Sequence, residues 1–229
     1  GLSPPSDTHP PHSLLHHALR GLHALPLHTR SFRTLALVAA LGLHAGLALA
    51  GRPLVVDDAG TNDKGKGHVE AWVTRASGVS LYSLSPAYAV GEGLEVGGLI
   101  ARESSTDLRA SALQLKWRIT PSQEKGCNVG LVAGFSRISV PAAHENSTYL
   151  NGLLTCNRGD SGSYHVNLGL SKPNGGDAAT SWGIAYERAF GAVTPHIEWF
   201  GSGGSQPTLQ VGLRGNVAEN LQLDGSVGR

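Results

Sequence analysis

The sequence predicts an all-β protein, an antiparallel up-and-down transmembrane β-barrel of about twelve strands. Three observations point there. An apolar run with a basic lead ends at Ala50 in the manner of an export signal. Beyond it, apolar residues recur at every second position in segment after segment, and no stretch holds a 3.6-residue period for long. The segments run to about nine to thirteen residues, the reach of a tilted bilayer-spanning strand, whereas strands of globular sheets average about five or six.

The signal comes first. Arg30 and Arg33 precede the apolar stretch from Thr34 to Ala50, which closes on Ala48-Leu49-Ala50. A positive lead, an apolar middle and small residues before the cut are what a secretory signal peptide needs, so residues 28–50 are expected to be removed after Ala50. The alternative, a single membrane anchor, would need roughly 20 apolar residues, and Gly42, His44 and Gly46 interrupt this run. Residues 1–27 hold His9, His12, His16, His17 and His23 among Pro, Ser and Leu. Such a tract can bind metal weakly, but no Cys or carboxylate cluster accompanies it. A start site placed too far upstream is the expected account, in keeping with the absence of Met.

Composition limits the rest. The 229 residues carry a formal net charge of +1 and only 15% are charged, which offers nucleic acid no basic surface. The 31 Gly suit turns and small-residue strands better than helices. Mean hydropathy is close to zero at −0.09, which suggests no helical membrane protein but is ordinary for a barrel whose apolar residues alternate with polar ones.

Residues 51–66 are read as a periplasmic lead-in and residues 67–229 as the barrel. The clearest strand is Ala112 to Thr120, where Leu113, Leu115, Trp117 and Ile119 share one face and Gln114, Lys116, Arg118 and Thr120 the other. Tyr164, Val166, Leu168 and Leu170 alternate with His165, Asn167, Gly169 and Ser171. Further segments centre on Trp182-Gly183-Ile184, Ile197-Glu198-Trp199, Leu209 to Arg214 and Leu221 to Val227. Weaker ones occupy 67–76, 79–90, 93–103, 128–140 and 147–157. Eleven are counted, and because bacterial single-chain barrels have an even number of strands, a twelfth is expected beyond Arg229 unless a weak early strand is miscounted.

The connections are expected to alternate. Gly91-Glu92, Gly191-Ala192 and Ala218-Glu219-Asn220 read as tight turns, while Glu103–Asp107, Pro141–Asn146, Lys172–Ala178 and Gly201–Gln206 read as longer loops. Short periplasmic turns opposite long outer loops are an outer-membrane pattern, although 121–126, on the short side, is long. Trp117, Tyr164, Trp182 and Trp199 stand near strand ends as an aromatic girdle requires. The competing architecture is a periplasmic β-sandwich or lipocalin-like barrel with its apolar face inward.

If the apolar faces meet lipid, the polar faces line a lumen: Glu70, Glu95, Lys116, Arg118, His165, Glu187, His196, Glu198, Arg214 and Asp224. Both signs are present, so they can pair across strands, and a filled or narrow lumen is favoured over an open channel. If 128–140 and 147–157 form a hairpin with apolar residues opposite one another, Val129 faces Leu154, Ala133 faces Leu150 and Cys127 faces Cys156. A structural disulfide at the periplasmic end is predicted.

Arg52-Pro53, Asp57-Asp58-Ala59-Gly60-Thr61 and Gly67-His68-Val69-Glu70-Ala71-Trp72 together resemble the opening of the proteobacterial outer-membrane β-barrel family annotated to the phenol-degradation (meta) pathway. Gly93 to Gly98 and Asn220 to Ser226 are also similar to it. The resemblance implies a twelve-stranded barrel described as a transporter, with a first strand bearing an inward Glu and no established catalytic residues.

The expected function is therefore a transporter or narrow channel for small, hydrophobic or aromatic, solutes in the outer membrane of a Gram-negative cell. A structural or adhesion barrel is the alternative. A lipid hydrolase would need His165 or His196 beside a Ser such as Ser163 or Ser171, and no G-x-S-x-G occurs. No enzyme activity, cofactor or metal site is expected, since Asp57-Asp58 alone is too few oxygen ligands for a hard cation. The expected partners are outer-membrane lipids, the barrel-assembly machinery and a small-molecule solute, and no nucleic acid.

Overall fold

The structure, a computed structural model, describes residues 54–76, 78–218 and 220–229. The His-rich extension, the signal segment and its cleavage point at Ala50 lie outside the described residues. Eleven antiparallel strands follow in chain order. They are β1 (Gly67–Ala76), β2 (Val79–Gly91), β3 (Leu94–Glu103), β4 (Arg109–Arg118), β5 (Lys125–Val140) and β6 (Ala143–Arg158). Then come β7 (Ser163–Pro173), β8 (Ala179–Glu187), β9 (Val193–Ser202), β10 (Thr208–Ala218) and β11 (Leu221–Gly228). Each pairs only with its sequence neighbours, a simple meander. A single 3-10 turn, Gly159–Ser161, is the only helical element among the described residues, and none there is long enough to cross a membrane.

The strands form where the period-two pattern places them, and several run a few residues into the expected loops; the largest change is at 141–146. Residues 144–146, polar enough to read as loop, extend β6, where His144, Glu145 and Asn146 pair with Ser139, Ile138 and Arg137. Only Pro141 and Ala142 then join β5 to β6. The turns expected near Gly91-Glu92 and at Gly191-Ala192 are tight, the latter between the paired Phe190 and Val193. Pro141-Ala142, however, puts a two-residue turn at the end expected to carry the longer loops, so the expected alternation holds only in part. Both ends of the sheet carry two-residue turns as well as links of five or six residues.

Alternation dictates the two faces. In β4 the burial pattern reads exposed for Leu113, Leu115 and Trp117 and buried for Gln114 and Lys116. The same inversion recurs from β2 to β9: Leu150, Leu154, Leu168, Ile184 and Ile197 are exposed, whereas Asn151, Thr155, Asn167, Ser181 and Glu198 are buried. Among the described residues there is no second sheet to cover this face, so the eleven-strand sheet curls on itself with that face inside.

Two details secure the wall. Pro86 lies within β2 and has no amide to donate; across from it the Gly98 carbonyl accepts the Ser85 hydroxyl at 2.8 Å. Cys127 and Cys156 pair in register and form the expected disulfide, with Cα atoms 4.0 Å apart. It ties β5 to β6 where β5 has outrun β4, whose last paired residue is Arg118 opposite Gly130. Val129↔Leu154 and Ala133↔Leu150 also pair as the hairpin arithmetic requires.

Candidate functional site: the occupied interior

The interior holds an occupant. Residues 54–62, read as part of a lead-in outside the barrel, lie across the concave face, with Leu54, Val56, Asp57 and Ala59 between 0% and 4% exposed. Wall side chains bond successive points of this segment. The Val56 amide donates to Glu198 of β9 (2.8 Å), the Asp57 amide to Asn167 of β7 (2.7 Å) and the Ala59 amide to Thr155 of β6 (2.8 Å). Beyond them, Asn62 donates to Glu95 of β3 through its amide (2.9 Å) and its side chain (2.6 Å). A segment that meets β9, β7, β6 and β3 in turn must run inside the curl.

Asn167 reads the peptide on both sides. Its Oδ1 accepts the Asp57 amide and its Nδ2 donates to the Asp57 carbonyl at 2.8 Å, so one carboxamide satisfies both polar groups of a buried residue, as a neighbouring strand would. The Asp57 carboxylate meets Lys116 of β4, with both oxygens 3.0 Å from Nζ, and Asp58 lies 4.0 Å away. Lys116 and Asp57 are each 4% exposed, so the ion pair is enclosed.

Apolar contacts fill the remaining space. Ala59 packs among Leu99, Val132, Tyr149 and Leu153, and Val56 with Ala185 and Phe200. Glycine makes room at two points where the segment comes close to the wall. A Cβ on Gly183 would come within 2.6 Å of Val56 Cγ2, and one on Gly130 within 3.3 Å of the Ala59 backbone. Between segment and wall the void beside Val55, Val56 and Trp182 is only about 10 Å³, enough for a single water.

All ten residues expected to line the interior lie on the inward face. Glu70, near His68 (3.9 Å), is the most exposed, and Arg118 reaches Glu92 at 2.6 Å near the mouth. Glu95, Lys116 and Glu198 hold the segment, with Gln210 also donating to Glu198 at 2.8 Å. The other five form a second group: His165 lies 3.5 Å from Glu187, Glu187 pairs with Arg214, and His196 lies 3.9 Å from Asp224. Beside this group the interior widens into a polar cleft of about 340 Å³ lined by Glu187, Thr194, Arg214, Asn216 and Gln222.

Comparison with known proteins gives one match. The family described as "Uncharacterised conserved protein UCP029691" covers residues 37–229. The chain belongs to this family. No curated protein and no solved structure matches it. The match to the UCP029691 family embraces every strand and the inserted segment, so barrel wall and occupant lie within one family region.

The aromatic residues fall at two levels of the UCP029691 chain. Trp117 and Tyr164 stand next to strand ends on the side of the disulfide, and Tyr164 packs on Tyr186 with centroids 4.8 Å apart. Trp182 and Trp199 lie nearer the opposite end in an edge-to-face pair, also 4.8 Å apart. Tyr82 and Tyr88, half exposed, stand three residues inside the two ends of β2. Of the hydrolase candidates, His165 Nδ1 bonds Thr155 Oγ1 at 2.9 Å, while the Ser163 hydroxyl donates to Asn157. No group of three or more metal-ligating side chains assembles among the described residues.

Proposed function

We propose that the chain is an integral outer-membrane β-barrel protein that admits small solutes, seen here with the middle of its interior filled. The inversion of its two faces carries this reading. Leu113, Phe135, Leu168, Leu213 and Val227 are each 59% exposed or more, while Lys116, His165, His196 and Glu198 are buried. A water-soluble sheet would show the opposite, because apolar area left in water costs roughly 25 cal/mol per Å² and enclosed charge costs more. Lipid outside and a polar interior satisfy both faces. The aromatic residues near both strand ends fit the two membrane interfaces.

A solute route is supported by the polar interior and by the cleft beside Arg214 and Glu187. Those polar walls fit a hydrophilic solute better than the aromatic one implied by resemblance. A second reading, a structural barrel without transport, is favoured by the filled middle of the interior. Purified full-length protein in liposomes separates these readings. Quenching of Trp117 and Trp199 fluorescence by brominated acyl chains supports membrane insertion; a detergent-free soluble species that ignores vesicles overturns it. Solute flux or single-channel conductance supports transport, and a sealed bilayer under all conditions supports the structural barrel.

A further inference from the structure

The least expected feature is the manner in which 54–62 is held. A segment that served only as core would be fixed by apolar packing and strand pairing. Here its amides at Val56, Asp57, Ala59 and Asn62 are taken up by side chains from four different strands, and its carbonyl at Asp57 by a fifth bond from Asn167. Its Asp57 and Asp58 carboxylates converge on Lys116. This is how a groove binds an extended peptide: main-chain polar groups are read one after another, and small pockets, here at Gly183 and Gly130, accept Val56 and Ala59.

We propose that the interior wall is a binding groove for an extended acidic peptide, that 54–62 is its tethered ligand, and that the ion pair of Lys116 with Asp57 and Asp58 is the latch that decides whether the groove is occupied. The segment then leaves as a unit while the barrel wall stays folded. Opening of the latch clears the interior along β3 to β9 and joins it to the cleft at Glu187 and Arg214. The direction follows from burial: a single broken partner leaves a charge enclosed without its counter-ion, and the segment, unlike the wall, can carry that charge out to water.

Binding and release are read independently of the membrane reading; only the conductance arm rests on it. The experiment uses the full-length protein and hydrogen exchange. In the wild-type chain the Val56, Asp57 and Ala59 amides should be protected. Asp57→Lys sets two cations against each other and should raise exchange at these amides roughly a hundredfold or more, with the β6 and β7 amides unchanged. The swap of Asp57→Lys with Lys116→Asp should restore protection, which guards against a variant that merely misfolds. A synthetic peptide of the sequence 54–62 should bind Asp57→Lys protein, and a peptide with Asn at both Asp positions should bind at least tenfold more weakly.

Loss of protection in segment and strands together would make 54–62 part of one cooperative core and overturn the proposal. So would wild-type protection in Asp57→Lys, or failure of the swap to restore it. Release of the segment with no change in bilayer conductance leaves the groove standing and sinks the transport reading instead.

Discussion

The interior has two halves built from the same kind of wall. From β3 to β9 the inward side chains close on the segment 54–62, and beside Val55 and Val56 the void is only about 10 Å³. Toward the 188–192 link and the β10–β11 end, away from the segment's contacts at Gly183, Ala185 and Glu198, the residues Glu187, Thr194, Arg214, Asn216 and Gln222 border a cleft of about 340 Å³. Both halves carry carboxylates, carboxamides and a cation. The occupant, not the chemistry of the wall, therefore sets how much space remains. A polar inner face is neither a pore nor a plug until something has been placed against it.

The largest expected effect tests the filled half at its covalent tie. The Cys127–Cys156 bridge has a sequence separation of 29 residues. Its reduction should cost about 3–4 kcal/mol by relaxing the unfolded chain. The measurement is the denaturant midpoint in detergent with and without dithiothreitol. An unchanged midpoint would show that strand pairing alone holds β5 and β6 together.

Next comes Asn167→Ala, which strips the Asp57 amide and carbonyl of their partner in a dry site. A buried polar group left unpaired costs about 1–3 kcal/mol, so a loss near 2 kcal/mol is expected. Gly183→Val should cost about as much for a different reason, since its Cβ starts 2.6 Å from Val56. The two separate at Val56→Ala. That change should relieve Gly183→Val by making room and leave the cost of Asn167→Ala untouched; a double-mutant cycle reads the difference.

The contrast between halves also explains what the sequence could reveal. Strand positions, the Cys127–Cys156 register and the inward set from Glu70 to Asp224 were legible because alternation and hairpin pairing are local rules. The place of 54–62 was not. It has no periodicity, and its partners lie far along the chain, Glu198 being 142 residues from Val56. A signal was nonetheless present in the wall, where Asn151, Thr155, Asn167 and Ser181 bring hydrogen-bonding groups inward and Gly130 and Gly183 leave gaps between them. Such a lining suits a peptide better than it suits water. The loop lengths misled for the opposite reason: His144, Glu145 and Asn146 are polar because β6 runs beyond its apolar stretch, not because the chain has left the sheet.

The smallest effect belongs to the open half, and its smallness is the point. Asn216→Ala and Gln222→Ala border the cleft with no segment against them. Both carboxamides can exchange a partner for water, so each change should alter stability by less than about 0.5 kcal/mol. The same substitutions at the filled side, as with Asn167, remove a partner that water cannot replace. If Asn216→Ala or Gln222→Ala proves as costly as Asn167→Ala, the cleft is as tightly organised as the rest and the two halves are one. If both are silent in unfolding yet change the flux of a polar solute, the open half is the part of this interior that solutes meet first.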